Sequence, residues 1–125
     1  DICLLLHDAA RPFVSERIIN DVVAALQEHN AVCVAIPSTD TLLEVDASGA
    51  FVSAIPNRNR YRRVQTPQGF RLETIAQAYE KGLQDPAFAA TDDCGVVLHY
   101  LPSEPIYIVE GEEENRKITY KKDLE

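Results

Sequence analysis

Residues 1–36 place two short apolar runs on either side of a helical stripe, and few folds accept that order. The runs are 2–6 and 31–36; between them Ile18, Ile19, Val22, Val23 and Leu26 recur at the spacing of one helix face. Continuous apolar runs of this length read as strands buried on both faces. Ser15 can cap the helix and Asn30 can end it. Pro37 stops the second run. Strand, helix and strand in so short a span make a βαβ unit, with the right-handed crossover such units take. The expected fold is therefore α/β, a mostly parallel sheet with helices on both faces.

The first strand ends abruptly in His7 and Asp8, followed by Ala9, Ala10, Arg11 and Pro12. Ligands of open α/β sheets lie beyond the carboxyl ends of the strands. Asp8 can ligate a hard cation such as Mg²⁺, and Arg11 can fork onto a phosphate. Ala9 and Ala10 leave room for a ligand. The alternative is an Asp–Arg pair that only braces the strand end. His7 suits a structural hydrogen bond there better than a proton transfer.

Downstream, 42–45 and 50–54 are strand candidates around Asp46-Ala47-Ser48-Gly49, a run of turn formers. Such a hairpin has too little apolar surface to stand alone, so 38–64 reads as an arm that lies on something else, a second subunit above all. Thr66-Pro67-Gln68-Gly69 reads as a turn. A helix follows with Leu72, Ile75, Ala76 and Tyr79 on one face, then a loop over 84–90. Thr91 is placed to cap another helix, with Asp92 and Asp93 favourable to its dipole. Residues 106–109 suit a strand and 111–114 a turn. No repeat or linker divides the chain, which reads as one domain.

The net charge of −8 argues against a general nucleic-acid binder. Yet of 12 Lys and Arg, five fall between Arg58 and Arg71 and four more are Arg116, Lys117, Lys121 and Lys122. Two basic clusters in an acidic protein suggest a small polyanion held at chosen points. Cys3, Cys33 and Cys94 form neither a disulfide framework nor a zinc pattern; a reducing cytoplasm fits best. No apolar run approaches a membrane span.

Five motifs occur in order: HDAARPF at 7–13, DTLLEVD at 40–46, QTPQGF at 65–70, TDD at 91–93 and VEGEEENRKIT at 109–119. Together they resemble the 2-C-methyl-D-erythritol 4-phosphate cytidylyltransferase family of the non-mevalonate isoprenoid pathway. Ribitol-5-phosphate cytidylyltransferases are close relatives, and Ala-Ile-Pro-Asn-Arg at 54–58 leans toward them, whereas HDAARP and TDD lean toward the methylerythritol enzymes. The resemblance implies a Rossmann-like nucleotidyltransferase fold with a projecting β-arm, CTP and a sugar-alcohol phosphate as substrates, Mg²⁺ as cofactor and a homodimer joined through the arm. It also implies a Gly-rich basic loop for the triphosphate, preceding the strand that leads to Asp8. This chain holds no such loop, and 1–125 is expected to be the C-terminal part of one nucleotidyltransferase domain, possessing half of the nucleotide site and not necessarily active by itself.

The same resemblance distributes roles. Asp8 lies by the metal and phosphates and Arg11 by the sugar phosphate; Ala9 is in the substrate-binding set. Thr41 reaches the acceptor bound in the partner subunit. One arginine stands eight residues before the Thr of TPQ, which is Arg58. Thr66 walls the site and Thr91 joins the substrate-binding set, while Lys117, in the Asn-Arg-Lys pattern, touches the reacting phosphates. Residue types alone leave other readings open. Arg58, Arg60, Arg62 and Arg63 around Tyr61 can be a solvated edge that discourages strand pairing. They can also be a single-stranded nucleic-acid surface, making the chain a non-catalytic nucleic-acid or protein-binding fragment. Lys117, behind three glutamates, can be an ordinary surface ion pair.

Overall fold

A computed structural model describes residues 2–89 and 92–119. In chain order these form β1 (Cys3–Leu6), α1 (Glu16–Ala25), β2 (Ala31–Pro37), β3 (Glu44–Val45), β4 (Val52–Ala54), a 3₁₀ turn (Arg58–Arg60), β5 (Arg62–Arg71), α2 (Leu72–Leu83), α3 (Asp93–Tyr100) and β6 (Tyr107–Glu110). The main sheet has the order β1-β5-β2-β6, and β3 and β4 make a separate two-stranded ribbon.

The apolar run of β2 is continuous because both of its faces are covered. Ala31 and Cys33 pack with Phe70, Ile75, Ala78, Cys94, Val96 and Val97 under α2 and α3. Val32 and Val34 point the other way, to Ile18, Val22 and Leu26 of the α1 side and to Val109. This is the two-residue period of a strand between two helical layers. Helices therefore lie on both faces, as expected.

Strand direction is mixed. β5 runs antiparallel to both β1 and β2, and β2 and β6 are parallel. So β1, β2 and β6 share a direction while β5, lying between β1 and β2, opposes them. The two strands of the βαβ unit are parallel but not neighbours.

β5 also corrects the reading of residues 66–69 as a turn. They are strand, with a cis Thr66–Pro67 peptide. Opposite β2, Val32 pairs with Gly69 but Val34 pairs with Gln65, so four steps on β5 face two on β2. The turn formers mark a bulge, where a proline without an N–H is tolerated and a side chain is re-aimed. Gly69 is there for space: a Cβ would lie 2.7 Å from Val22 Cγ1 and 3.0 Å from Leu26 Cδ1. Only glycine lets α1 lie this close to the sheet.

Other boundaries move for local reasons. Ser15 does cap α1, accepting the Ile18 N–H at 3.2 Å, but the helix ends at Ala25 with Leu26 as its cap, not at Asn30. Ile18, Val22 and Leu26 are buried, whereas Ile19 and Val23 stay exposed, so the buried stripe is narrower than the apolar one. On α2 the buried face is Thr74, Ile75, Ala78 and Gly82; Leu72 and Ala76 face outward. The cap of α3 is Asp92, whose side chain accepts the Gly95 N–H at 2.9 Å. Thr91, expected in that role and in substrate binding, lies outside the described residues.

The ribbon occupies the predicted arm. Asp46 Oδ1 accepts the N–H groups of Ser48 and Gly49 at 3.0 and 3.1 Å, and Gly49 takes φ +76°, the left-handed region. Among the described residues, no helix is long and apolar enough to cross a membrane.

Candidate functional site

At the carboxyl end of β1 the chain turns sharply. The Arg11 N–H donates to Asp8 O at 2.9 Å and the Ala10 N–H to Asp8 Oδ1 at 3.0 Å. The bulge on β5 meets this turn. The Asp8 N–H donates to Thr66 Oγ1 at 3.0 Å, Thr66 Oγ1 lies 3.0 Å from His7 Nδ1, and His7 Nε2 lies 2.8 Å from Arg11 O. A carbonyl only accepts, so Nε2 carries a proton. His7 thus makes the structural hydrogen bond expected of it, and Thr66 stands at the wall of the site.

Arg11 does not spend itself on Asp8. Its Nη1 donates to Asn115 O at 2.8 Å and its Nη2 to Val64 O at 3.3 Å. Partial burial pulls its pKa down, with Asp8 opposing; a guanidinium remains charged regardless. The brace at the strand end therefore runs through main-chain carbonyls, which leaves the Asp8 carboxylate to other partners.

One of those partners is Lys117, with Nζ 3.5 Å from Asp8 Oδ2. The Ala10 N–H first, then Lys117 and Arg11, hold the Asp8 carboxyl below the usual carboxylate range, against the opposing cost of desolvation. Two of the three glutamates ahead of Lys117 are engaged elsewhere: Glu112 with Arg17 and Glu113 with Arg63, each at 2.9 Å. Lys117 is therefore not the partner of Glu112 or Glu113 that a surface reading requires.

Asp8, Arg11, Thr66, Asp92, Asp93 and Lys117 line one cleft of about 570 Å³. Asp92 is occupied as a helix cap and by Gln68 Nε2 at 2.9 Å. Asp93 accepts the Tyr79 hydroxyl, whose pKa is pushed up to about 12 chiefly by that bond. Both thus serve α3, in line with their reading as helix-terminus residues. A second cleft of about 580 Å³, between α1 and β6, is lined by none of the candidate site residues. Its Arg17 is tied to Asp21 and Glu112, and His29 stacks on Tyr107 with ring centroids 4.2 Å apart.

The remaining expected site residues stand apart. Ala9 is exposed on the turn. Thr41 is exposed on the arm, and Arg58 Nη1 donates to Thr39 O at 2.9 Å. Neither Thr41 nor Arg58 lines the cleft of its own chain. Two residues at the floor of the cleft, Gln65 lining it and Asn115 bonded to Gln65, carry more than their motifs indicated. Gln65 and Asn115 are buried and bonded to each other, Asn115 Nδ2 donating to Gln65 Oε1 at 3.1 Å. In the sequence Asn115 is only the first residue of the Asn-Arg-Lys pattern, and Gln65 only the first residue of QTPQGF.

The sequence model of one family, 2-C-methyl-D-erythritol 4-phosphate cytidylyltransferase, matches residues 1–125. A relative of that name from Thermobifida fusca is 57% identical over 97% of this chain and 50% of its own length. A bifunctional ribulose 5-phosphate reductase/CDP-ribitol pyrophosphorylase from Haemophilus influenzae is 42% identical over 97% of this chain and 25% of its own. Among solved structures, 4-diphosphocytidyl-2C-methyl-D-erythritol synthase from Anaerococcus prevotii superposes with a TM-score of 0.89 at 36% identity, covering 98% of this chain and 55% of that one. The chain spans about half the length, or less, of the curated relatives it matches.

Proposed function

Since this chain belongs to the 2-C-methyl-D-erythritol 4-phosphate cytidylyltransferase family, we propose that the protein it represents transfers CMP from CTP to 2-C-methyl-D-erythritol 4-phosphate and releases pyrophosphate. The acceptor phosphate oxygen attacks the α-phosphorus of CTP. The bond from that phosphorus to the bridging oxygen breaks, and pyrophosphate leaves with the electron pair. The attacking group is already anionic, so no side-chain nucleophile is required, and catalysis is positioning plus charge stabilisation. The single observation that carries this reading is the cleft at the end of β1, where Lys117 meets Asp8 at 3.5 Å beside Arg11.

In this reading Arg11 holds the acceptor phosphate, and Lys117 answers charge developing on the α-phosphate. The Gly-rich loop implied by the resemblance supplies the remaining phosphate contacts. The donor set fits Mg²⁺. Asp8 offers a carboxylate held ionised. That suits an ion bound through one or two carboxylates plus substrate phosphates. When bound, it supplies Lewis-acid neutralisation of phosphate charge.

The arm supports a homodimer. Leu43, Val45, Phe51, Val52 and Ile55 are all exposed on or beside it, and a two-stranded ribbon is marginal alone. Thr41 and Arg58 then act in the partner's cleft. The thiols of Cys3, Cys33 and Cys94 are free, which favours a reducing compartment, the cytoplasm. The product feeds non-mevalonate isoprenoid synthesis.

A second acceptor, ribitol 5-phosphate, is favoured by the likeness to the Haemophilus protein named for CDP-ribitol. Pyrophosphate release from CTP, measured on the full-length protein with each acceptor and Mg²⁺, tests both readings. Turnover with methylerythritol phosphate, and little with ribitol phosphate or ATP, is expected. Activity with neither acceptor contradicts the assignment.

A further inference from the structure

We propose that Asn115 is the positioning residue that holds Lys117 over Asp8; this rests on the transferase reading above. β6 ends at Glu110, and residues 111–119 belong to no strand of the sheet. Something other than a strand ladder must therefore hold this segment against the cleft. Among the attachments of 111–119, two flank Lys117 itself. Ahead of Lys117, the Asn115 side chain reaches β5; behind it, the Ile118 N–H donates to Ala10 O at 2.7 Å. Lys117 sits between them.

The first attachment is built from buried amides. Asn115 is 0% exposed. Its Nδ2 donates to Thr66 O at 2.8 Å and to Gln65 Oε1 at 3.1 Å. Both amide hydrogens are therefore used. Its Oδ1 is buried with no partner among the described residues, and a flipped amide would set that oxygen against two other acceptors. The donors alone thus explain an Asn here, since a carboxylate or an aliphatic isostere supplies none. Gln65 completes the clasp from beneath: its Nε2 donates to Glu112 O at 2.9 Å. The turn itself closes with the Asn115 N–H on Glu112 O at 3.1 Å.

The same residue reaches both cations of the site. Its carbonyl accepts from Arg11 Nη1 at 2.8 Å, and its side chain fixes the backbone two residues before Lys117. The intervening Arg116 lies over the Phe13 ring at 5.2 Å, so the two adjacent cations diverge and Lys117 alone lines the cleft. Lys117 is half-exposed, and its contact with Asp8 is a single one of 3.5 Å. An ion pair that open does not hold a flexible side chain in place; the buried amide clasp does.

A double-mutant cycle of Asn115→Ala and Lys117→Ala in the full-length enzyme tests this. Misplacing a catalytic group by about 1 Å costs on the order of 100-fold, so Asn115→Ala should lower kcat by roughly 10- to 100-fold with a smaller change in the KM for CTP. On the Lys117→Ala background the same change should cost less than about 3-fold, because the group it positions is gone. An equal loss on both backgrounds, or an unchanged kcat, overturns the proposal. A reading independent of substrate separates it from the transferase assignment. The Ile118 amide should exchange with solvent about 10-fold faster or more in Asn115→Ala, while the β2 amides keep their protection. Uniform loosening, or none, also overturns it. Where Asn115→Ala does not fold, Asn115→Ser, which fits the space and keeps one donor, and Gln65→Ala, which opens the clasp from the other side, go through the same cycle and exchange measurement. An inactive wild-type enzyme with normal local loosening in the variant refutes the transferase reading and not the clasp.

Discussion

The cleft and the arm are both assembled from short strands and turn formers, yet they are held in opposite ways. In the cleft, bonds join residues far apart in sequence: Arg11 to Asn115, Asp8 to Thr66, Asn115 to Gln65. In the arm, bonds are local, as from Asp46 to Ser48 and Gly49 or from Ser53 to Glu44. Every residue of β3 and β4 is exposed. One region carries its own support; the other leaves apolar side chains and two expected site residues exposed. In the proposed dimer a chain completes the floor of its own site while its arm serves another.

The sharpest way to break this contrast is to compare two phenylalanines. Phe70 of β5 is 0% exposed and Phe51 of the arm is 72% exposed. Phe70→Ala should destabilise the chain by about 3–5 kcal/mol, read from urea denaturation. Phe51→Ala should leave monomer stability within about 0.5 kcal/mol and instead weaken self-association in sedimentation. Equal effects on stability contradict the division.

Next in size is Lys117→Ala in the full-length enzyme. Loss of one preorganised charge donor costs on the order of 100-fold or more in turnover, with a smaller change in KM. Lys117→Arg should rescue poorly, because a planar fork does not replace a point charge. A near-normal kcat returns Lys117 to the role of a surface residue.

A cap is a smaller matter. Ser15→Ala removes the acceptor for the Ile18 N–H and should cost about 1 kcal/mol in the same denaturation experiment. The smallest expected effect lies in alkali. Tyr79 bonds Asp93 and its pKa is raised to about 12 from an ordinary 10.0. A raised pKa means that folding favours the neutral phenol. Its contribution is complete below pH 10 and is lost as the pH climbs through 12. Stability should fall over that window, and Tyr79→Phe should flatten the fall without abolishing it, since Tyr100 is shifted the same way by burial and by Asp85.

How legible these regions were follows from the range of the forces involved. The strand at β2, the cap at Ser15 and the Asp46–Gly49 turn depend on neighbours in sequence, and periodicity and turn chemistry express them directly. Asp8 and Arg11 were readable because a strand end is where an α/β sheet gathers ligands. The TPQG segment misled because a bulge and a turn use the same residues; only the pairing with β2 separates them. Ile19 and Val23 obey the helical period but find no cover in this chain. Gln65 and Asn115 stood in motifs, but the bond between them gave no signal. A buried amide has no period, and its meaning depends on a partner fifty positions away.

The central claim is that Asp8, Arg11 and Lys117 serve the cleft of their own chain while Thr41 and Arg58 serve the partner's. Mixing full-length Asp8→Ala with Arg58→Ala, each inactive alone, tests it most directly. A mixed dimer then contains one site with an intact Asp8 from one chain and an intact Arg58 from the other. Pyrophosphate release should return on mixing, at a level set by the fraction of mixed dimers. If heterodimers form and no activity returns, the arm does not act across the interface and the account is wrong at its centre.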